Sequence, residues 1–374
     1  MLGFILFVWC HKLINKALWN GKEEMNKKII EVKHHISDGC CMWSGIEDIY
    51  SAKSNEEIPE AFLLALSSYG ENVYLKFNNT ARPVMFNVCD ARTRKTYDKI
   101  KDIIGLNYKI SEGRTSDYAF RSVKQEIDNG NPVILGPLDM YYLPYLNMYR
   151  KQHIPMHYIL MVGYDEEKKC IYLYDCGREE MQELPYDELF KAWQIKKSMV
   201  GDKNGFIRFS LADDVPNVYE LTKQCLTQKA ARQLCDKPRV TGISAFYKIA
   251  NEFLTWKQEM SKEVYCNALM GLVEYFGMVP KLPNCLLGIK GKSDISYRGN
   301  CDRLGNMLLY LGKIYHQVDW IEAGDFFIQS GLKFETITNH VVGYLCGESD
   351  NLETIPQLFI EIAHLEEKAY QQLL

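Results

Sequence analysis

The stretch HHISDGCCMW, residues 34–43, places two adjacent cysteines behind a glycine and two histidines. Beyond Cys41 the apolar residues Met42, Ile46, Ile49 and Tyr50 recur at the spacing of one buried helical face. Cys41 is therefore expected at a helix N-terminus, behind Asp38 and Gly39. A free thiol titrates at about 8.5, so little of it is thiolate at neutral pH. A helix start offers roughly half a positive charge and unpaired N–H groups, and both favour the anion. Such a nucleophile needs a histidine to exchange protons with, and that histidine needs a carboxylate or amide to orient it. His157 opens the apolar run HYILMVGYD (157–165), and Asp175 ends CIYLYD (170–175). With a hairpin turn at the intervening EEKK, the two residues come to the same end of one hairpin. The chemistry expected is nucleophilic acyl chemistry, with Cys41 as nucleophile, His157 as general base and then acid, and Asp175 as orienter.

Other readings compete at each position. Cys40 is an alternative nucleophile, and His153, four residues before His157, an alternative base. Cys41 could be a buried structural thiol, His157 a satisfied core histidine, and Asp175 a turn cap. No C-x-x-C pair occurs, and adjacent thiols grip a single metal awkwardly, so no metal site and no cofactor are expected. The aromatic stretch GPLDMYYLPYLNMYR (136–150) is read as a groove loop, with Asp139 and Tyr142 facing substrate.

The elements that must position these residues follow from periodicity. Helices are expected after Cys41 and over 58–69, 95–104, 116–128 and 184–193. Strands are expected over 72–77, 82–88, within 129–136, and over 157–165, 170–175 and 205–211. Past ADDVPN (212–217) the pattern is helical: Ile243, Phe246, Ala250 and Phe253 form one stripe, Leu304, Met307, Leu308 and Leu311 another, and Ile355, Phe359 and Ile362 a third. The fold class is α+β, with a catalytic domain over 25–212 and an all-helical domain over 213–374. Residues 1–24 are read as an extension. GKEEM (21–25) can be encoded by a purine-rich ribosome-binding sequence, which makes Met25 the expected initiator.

Bulk composition narrows the function classes. Of the 374 residues 25% are charged, and the net charge is −4, so no basic field favours nucleic acid or an anionic membrane. The apolar start MLGFILFVWC is too short to span a bilayer. Twelve cysteines spread over a long chain suit reduced thiols in a cytoplasm better than a disulfide scaffold.

The segments GCCMWSGIEDIYSAKS, NPVILGPLDMYYLPY and HIPMHYILMVGYDEEKKCIYLYDC resemble the butirosin-biosynthesis-protein-H N-terminal family. GISAFYKIANEFLTW and ISYRGNCDRLGNMLLYLGKIY resemble the helical domain of unknown function that usually follows it. The resemblance implies a papain-like fold related to bacteriocin-processing cysteine peptidases. It also implies transfer of an acyl or aminoacyl group from a carrier-protein thioester to an amine acceptor, in bacterial natural-product biosynthesis. The family's His-Cys pair reads Cys40-Cys41 here, which aligns the nucleophile with Cys41 and loses the preceding histidine. The oxyanion-stabilising glutamine of the related peptidases aligns with His35. Arg298 matches the helical domain's motif and is a candidate for a phosphopantetheine phosphate or a structural ion pair. The competing functions are a cysteine peptidase or amidase with the same triad, and a non-catalytic binding protein on this fold.

Overall fold

The computed structural model describes residues 26–37, 41–78, 80, 81, 83–87, 92–196, 200–275 and 301–374. Residues 1–24, Cys40 and Arg298, on which sequence expectations fall, lie outside the described residues. In chain order the first half runs β1 (Lys27–Ile29), α1 (Ser44–Ser54), α2 (Phe62–Ser67), β2 (Val73–Lys76), β3 (Val84–Asn87), α3 (Thr93–Ile100), β4 (Leu106–Ser111), α4 (Ser116–Asp128), β5 (Val133–Asp139), β6 (Pro155–Asp165), β7 (Cys170–Tyr174), β8 (Gln182–Pro185), α5 (Tyr186–Trp193) and β9 (Phe206–Leu211). The second half is helical: α6 (Val218–Gln233), α7 (Ile243–Glu252), α8 (Trp256–Glu259), α9 (Lys262–Tyr275), α10 (Cys301–Ile314), α11 (Val318–Leu345) and α12 (Ile355–Gln372). The fold is α+β, as the sequence leads one to expect.

The main sheet has the order β4-β9-β5-β6-β7-β8, with β1 laid on the far end of β6, and every pairing is antiparallel. Alternation along β6 builds two cores. Tyr158, Leu160 and Val162 face Trp43 and Ile46 of the α1 region. Ile159 and Met161 face Ala119, Val123 and Ile127 of α4 and Leu189 and Trp193 of α5. The helix that follows Cys41 and the pair α4/α5 therefore lie on opposite faces of the same strand.

The α1-side core does not stop at the sheet. It continues without a break into Phe246, Leu304, Phe334, Phe359 and Tyr370, so the two halves share one apolar interior. Polar contacts follow the same seam. The buried Lys229 ammonium on α6 donates to the carbonyls of Ala65 and Tyr69, the latter at 2.6 Å. The Tyr370 hydroxyl of α12 donates to the Gly70 carbonyl at 2.6 Å, and Asn72 Nδ2 donates to Glu366 Oε2 at 2.8 Å.

Three details differ from the expected elements, the first being β1, an unanticipated strand paired with β6. The helix expected over 184–193 begins at Tyr186, because Leu184 and Pro185 pair with Ile171 and Cys170 as the edge strand β8. Pro185 is tolerated there because an edge position needs no donor. β4, which was not anticipated, pairs along its whole length with β9 and forms the opposite edge of the sheet.

α1 reaches the sheet through a missing side chain. A Cβ on Gly45 would lie 2.4 Å from Leu160 Cδ1 and 3.1 Å from Leu160 Cβ, so the helix can approach β6 this closely only with glycine. Gly45→Val is expected to cost about 1–3 kcal/mol by overpacking, read as a lower urea midpoint at unchanged slope. Gly343 in α11 has open space, its nearest neighbour being 4.0 Å from such a Cβ. Gly343→Ala is expected to stabilise by up to about 1 kcal/mol through helix propensity. Equal effects from both substitutions would contradict this account of the α1 contact.

Candidate active site

The hairpin β6/β7 delivers the histidine and the carboxylate as its register requires. Leu160 lies opposite Tyr174, so His157 and Asp175 both fall just beyond that pair, at the same end. His157 Nε2 is 2.7 Å from Asp175 Oδ2, and both residues are buried. That contact occupies Nε2 and leaves Nδ1 for a second partner. Half-buried Cys41 is near enough to the same ring for its charge and hydrogen bonding to raise the imidazole's titration. Trp43 caps α1 without a side-chain hydrogen bond, so the helix start next to Cys41 keeps its N–H groups free of a capping oxygen from that residue. Met42 is held by the Tyr97 hydroxyl, which donates to its carbonyl, and Trp43 packs edge-on against Tyr97 at 4.5 Å.

Electrostatics at the pair are set by two opposing effects. Burial alone would push the His157 imidazolium toward its neutral form. The Asp175 charge and hydrogen bond, and the neighbouring Cys41, outweigh burial and raise His157 well above the ordinary histidine range. Asp175 answers in kind: burial favours its protonated form, but His157 holds the carboxyl below the usual range. Both shifts favour the charged form of the pair, imidazolium beside carboxylate.

His34 and His35 do not join this pair. They close around two buried carboxylates on α1. His34 Nδ1 lies 2.7 Å from Asp48 Oδ2 and its Nε2 lies 3.3 Å from the Asp175 carbonyl, while its ring stacks on Tyr174 at 4.6 Å. His35 Nδ1 lies 2.8 Å from Asp48 Oδ1, its backbone N–H donates to the same oxygen at 3.1 Å, and its Nε2 is 3.4 Å from Glu47 Oε2. The expected oxyanion role of His35 meets this arrangement directly: both ring nitrogens face carboxylates. Glu47 also accepts from Ser37 Oγ at 2.6 Å and from Leu63 N at 2.6 Å.

His153, the competing base, is paired elsewhere, with Nδ1 2.6 Å from Asp139 Oδ2. Asp139, Tyr142 and His153 line a cavity of about 1030 Å³ together with Pro155, Phe190 and Lys196, at the sheet end where β5 stops and β6 begins. Neither Cys41 nor His157 is among its lining residues. Asp139 and Tyr142 thus face a pocket, beside the cysteine–histidine pair rather than over it.

Tyr145 is a residue that sequence reasoning missed. The residue is half-buried with its hydroxyl enclosed, and burial first, then the Asp175 charge, push that hydroxyl well above the usual range. Arg178 locks this loop by donating to the Tyr145 carbonyl. Only the position of Tyr145 in an aromatic loop hinted at it. Among the described residues no cluster of three or more His, Cys, Asp or Glu side chains could hold a metal ion. Among the same residues no helix is long and apolar enough to cross a membrane.

Residues 40–176 match the family model for butirosin biosynthesis protein H, N-terminal. The matched span includes Cys41, His157 and Asp175 and ends one residue past the last of them. The chain is also 30% identical over 143 residues to the Bacillus subtilis (strain 168) protein named "Uncharacterized protein YobF". That likeness covers 35% of this chain and 46% of the relative, so the chain spans about half the length of the curated relative it matches. The match is to the N-terminal part of a biosynthesis protein, and it is compatible with an enzyme.

The His35 cluster yields a pH prediction. Burial lowers the imidazolium's stability, but hydrogen bonds and charge from Asp48 and Glu47 raise its titration to about 10. A raised histidine stabilises the fold fully below its unfolded value of about 6.5, and the contribution is lost as pH climbs toward the folded value. The stability difference between wild type and His35→Gln should therefore be constant below about pH 6 and shrink between about pH 6.5 and 10. A difference that grows with pH in thermal melts would show that the carboxylates do not hold a charged ring.

Proposed function

We propose that this protein is a cysteine-dependent acyltransferase that moves an acyl or aminoacyl group from a carrier-protein thioester to an amine. The observation that carries this reading is the Cys41 thiol at a helix start, against an imidazole whose other nitrogen is held by a buried carboxylate. Cys41, His157 and Asp175 stand in the chain order of papain-like sites, with the cysteine ahead of a helix and the other two on a sheet. The family likeness supports biosynthetic acyl transfer over proteolysis.

Each step balances with these groups. The Cys41 thiolate attacks the carrier thioester carbonyl, and the oxyanion formed is held by N–H groups at the start of α1. Collapse breaks the bond to the pantetheine sulfur, which leaves with the proton of the His157 imidazolium. One thioester replaces another, so the step is nearly level in free energy. The amine then attacks the Cys41 thioester and passes a proton to His157. The thiolate departs, and an amide forms downhill. Asp175 holds the ring in the tautomer and orientation that both transfers need. Carrier protein and amine acceptor are the partners, and the cytoplasm, which keeps thiols reduced, is the setting. A peptidase would use the same groups but must protonate an amine leaving group and admit water.

Intact-protein mass after mixing with a short acyl-pantetheine thioester tests this. Wild type and Cys40→Ala should gain the acyl mass and Cys41→Ala should not. His157→Ala should acylate more slowly by a factor of about 10² or more. Added amines should discharge the adduct as amide faster than water discharges it as acid. Discharge by water alone would make the protein a peptidase or amidase. No adduct on wild type would favour a binding protein, and an adduct surviving Cys41→Ala would move the nucleophile.

A further inference from the structure

The cavity beside the cysteine–histidine pair holds a second oriented imidazole that the acyl-transfer scheme does not use. Asp139 is buried, and its Oδ1 is saturated by the backbone N–H groups of Tyr141 at 3.2 Å and Ile154 at 2.9 Å. Its Oδ2 takes His153 Nδ1 at 2.6 Å, and the face of the ring stacks on Tyr141 at 4.1 Å with the planes 17° apart. The imidazole is thus fixed from one edge and one face. Its side chain is nevertheless 60% exposed, and it lines the cavity. With Nδ1–H given to Asp139, a neutral ring presents the Nε2 lone pair outward, as a preset hydrogen-bond acceptor. An imidazole serving only to neutralise Asp139 would need neither the stacking nor the exposure.

The rest of the lining defines what would meet that acceptor. Tyr142, Pro155 and Phe190 give apolar walls, and the carboxylates of Asp117 and Asp187 are balanced by Lys196 and by Lys191, whose ammonium lies 3.3 Å from Asp187. A ligand with an apolar body and a hydrogen-bond-donating head suits the outward Nε2 lone pair; a carboxylate head, which cannot donate, does not. Position gives the cavity its use. Pro155, part of the lining, precedes His157 by two residues on β6, and His153 precedes it by four. Four residues span no more than about 14 Å of chain, so a ligand seated here lies within a molecule's length of Cys41's partner.

We propose that this cavity is the acceptor subsite: it binds a primary amine carried on an apolar body, with His153 Nε2 accepting a hydrogen bond from the amine. The proposal rests on the acyl-transfer reading for its purpose, but its binding test does not.

The binding test uses full-length Cys41→Ala protein, with tyramine as probe and 4-hydroxyphenylacetate as a counter-probe bearing a carboxylate. The imidazole proton signals of His153, assigned by their loss in His153→Ala, should shift and saturate with tyramine and move far less with the carboxylate. No shift with tyramine, or a larger one with the carboxylate, would overturn the proposal whatever Cys41 does. In the second arm, wild type and His153→Ala are acylated and then discharged by tyramine, each half-reaction timed separately. The substitution should slow discharge at low tyramine about tenfold more than it slows acylation, the worth of one hydrogen bond, and saturating amine should recover most of the loss. Equal slowing of both half-reactions would reduce His153 to a structural role and leave the acyltransferase reading standing. Failure of wild type to acylate, with tyramine still bound at His153, would sink that reading and keep the subsite.

Discussion

Two carboxylates buried next to each other on α1, Glu47 and Asp48, dictate much of what surrounds Cys41. A buried charge without partners is not tolerated, and stripping one partner from such a pair costs on the order of 3–5 kcal/mol. The chain meets this demand by drawing separate segments onto one helix. Asp48 takes His34 and His35, and Glu47 takes Ser37 and the first turn of α2 through Leu63 N. His34 then reaches on to the Asp175 carbonyl, and Ser37 N donates to the Cys176 carbonyl at 2.8 Å. The strand end that carries the orienting carboxylate and the helix that follows the thiol are tied through the same short segment. Satisfying two buried acids and bringing Cys41, His157 and Asp175 together become one problem with one solution.

The helical half enters through α2. That helix and the turn after it are clamped from α6 by Lys229 and from α12 by Tyr370, whose hydroxyl reaches Gly70. At the same seam Glu366 is fully enclosed, and burial raises its carboxyl to about 7 although Asn72, Ser330 and Cys301 hydrogen-bond to it. A group that costly to bury belongs to a permanent interface. Together with the unbroken apolar core, these contacts make the second half a buttress for α2, and so indirectly for Glu47 and α1.

What was legible in the sequence followed the strength of its periodic signal. HYILMVGYD and CIYLYD are apolar enough, and close enough across their turn, to fix hairpin and register, and with them the placement of His157 beside Asp175. The stripe after Cys41 foretold α1 and its buried face. β4 was missed although Leu106, Tyr108 and Ile110 alternate with Asn107, Lys109 and Ser111, three full repeats of a strand's period. The carboxylate cluster was invisible for another reason. Glu47 and Asp48 look like the solvated face of a helix, and only the return of residues 34–37 over that face buries them. The pairing of His153 with Asp139 escaped likewise, since it depends on how a long irregular loop folds back between β5 and β6.

The position six residues ahead of Cys41 shows how a correspondence in sequence can keep the place and change the task. A histidine there can donate a hydrogen bond, as an oxyanion requires. Here His35 instead points its ring at two carboxylates whose charge makes it the better bound the more nearly it is a cation. An imidazolium held that tightly has little to gain by turning toward a transient oxyanion. Under the proposed acyl transfer, the oxyanion would fall to backbone N–H groups where α1 begins, which need no side chain and are already aligned by the helix. Trp43 at the cap position supplies no oxygen to compete for them. The departure at residue 35 and the apolar cap at residue 43 are in this respect two halves of the same arrangement.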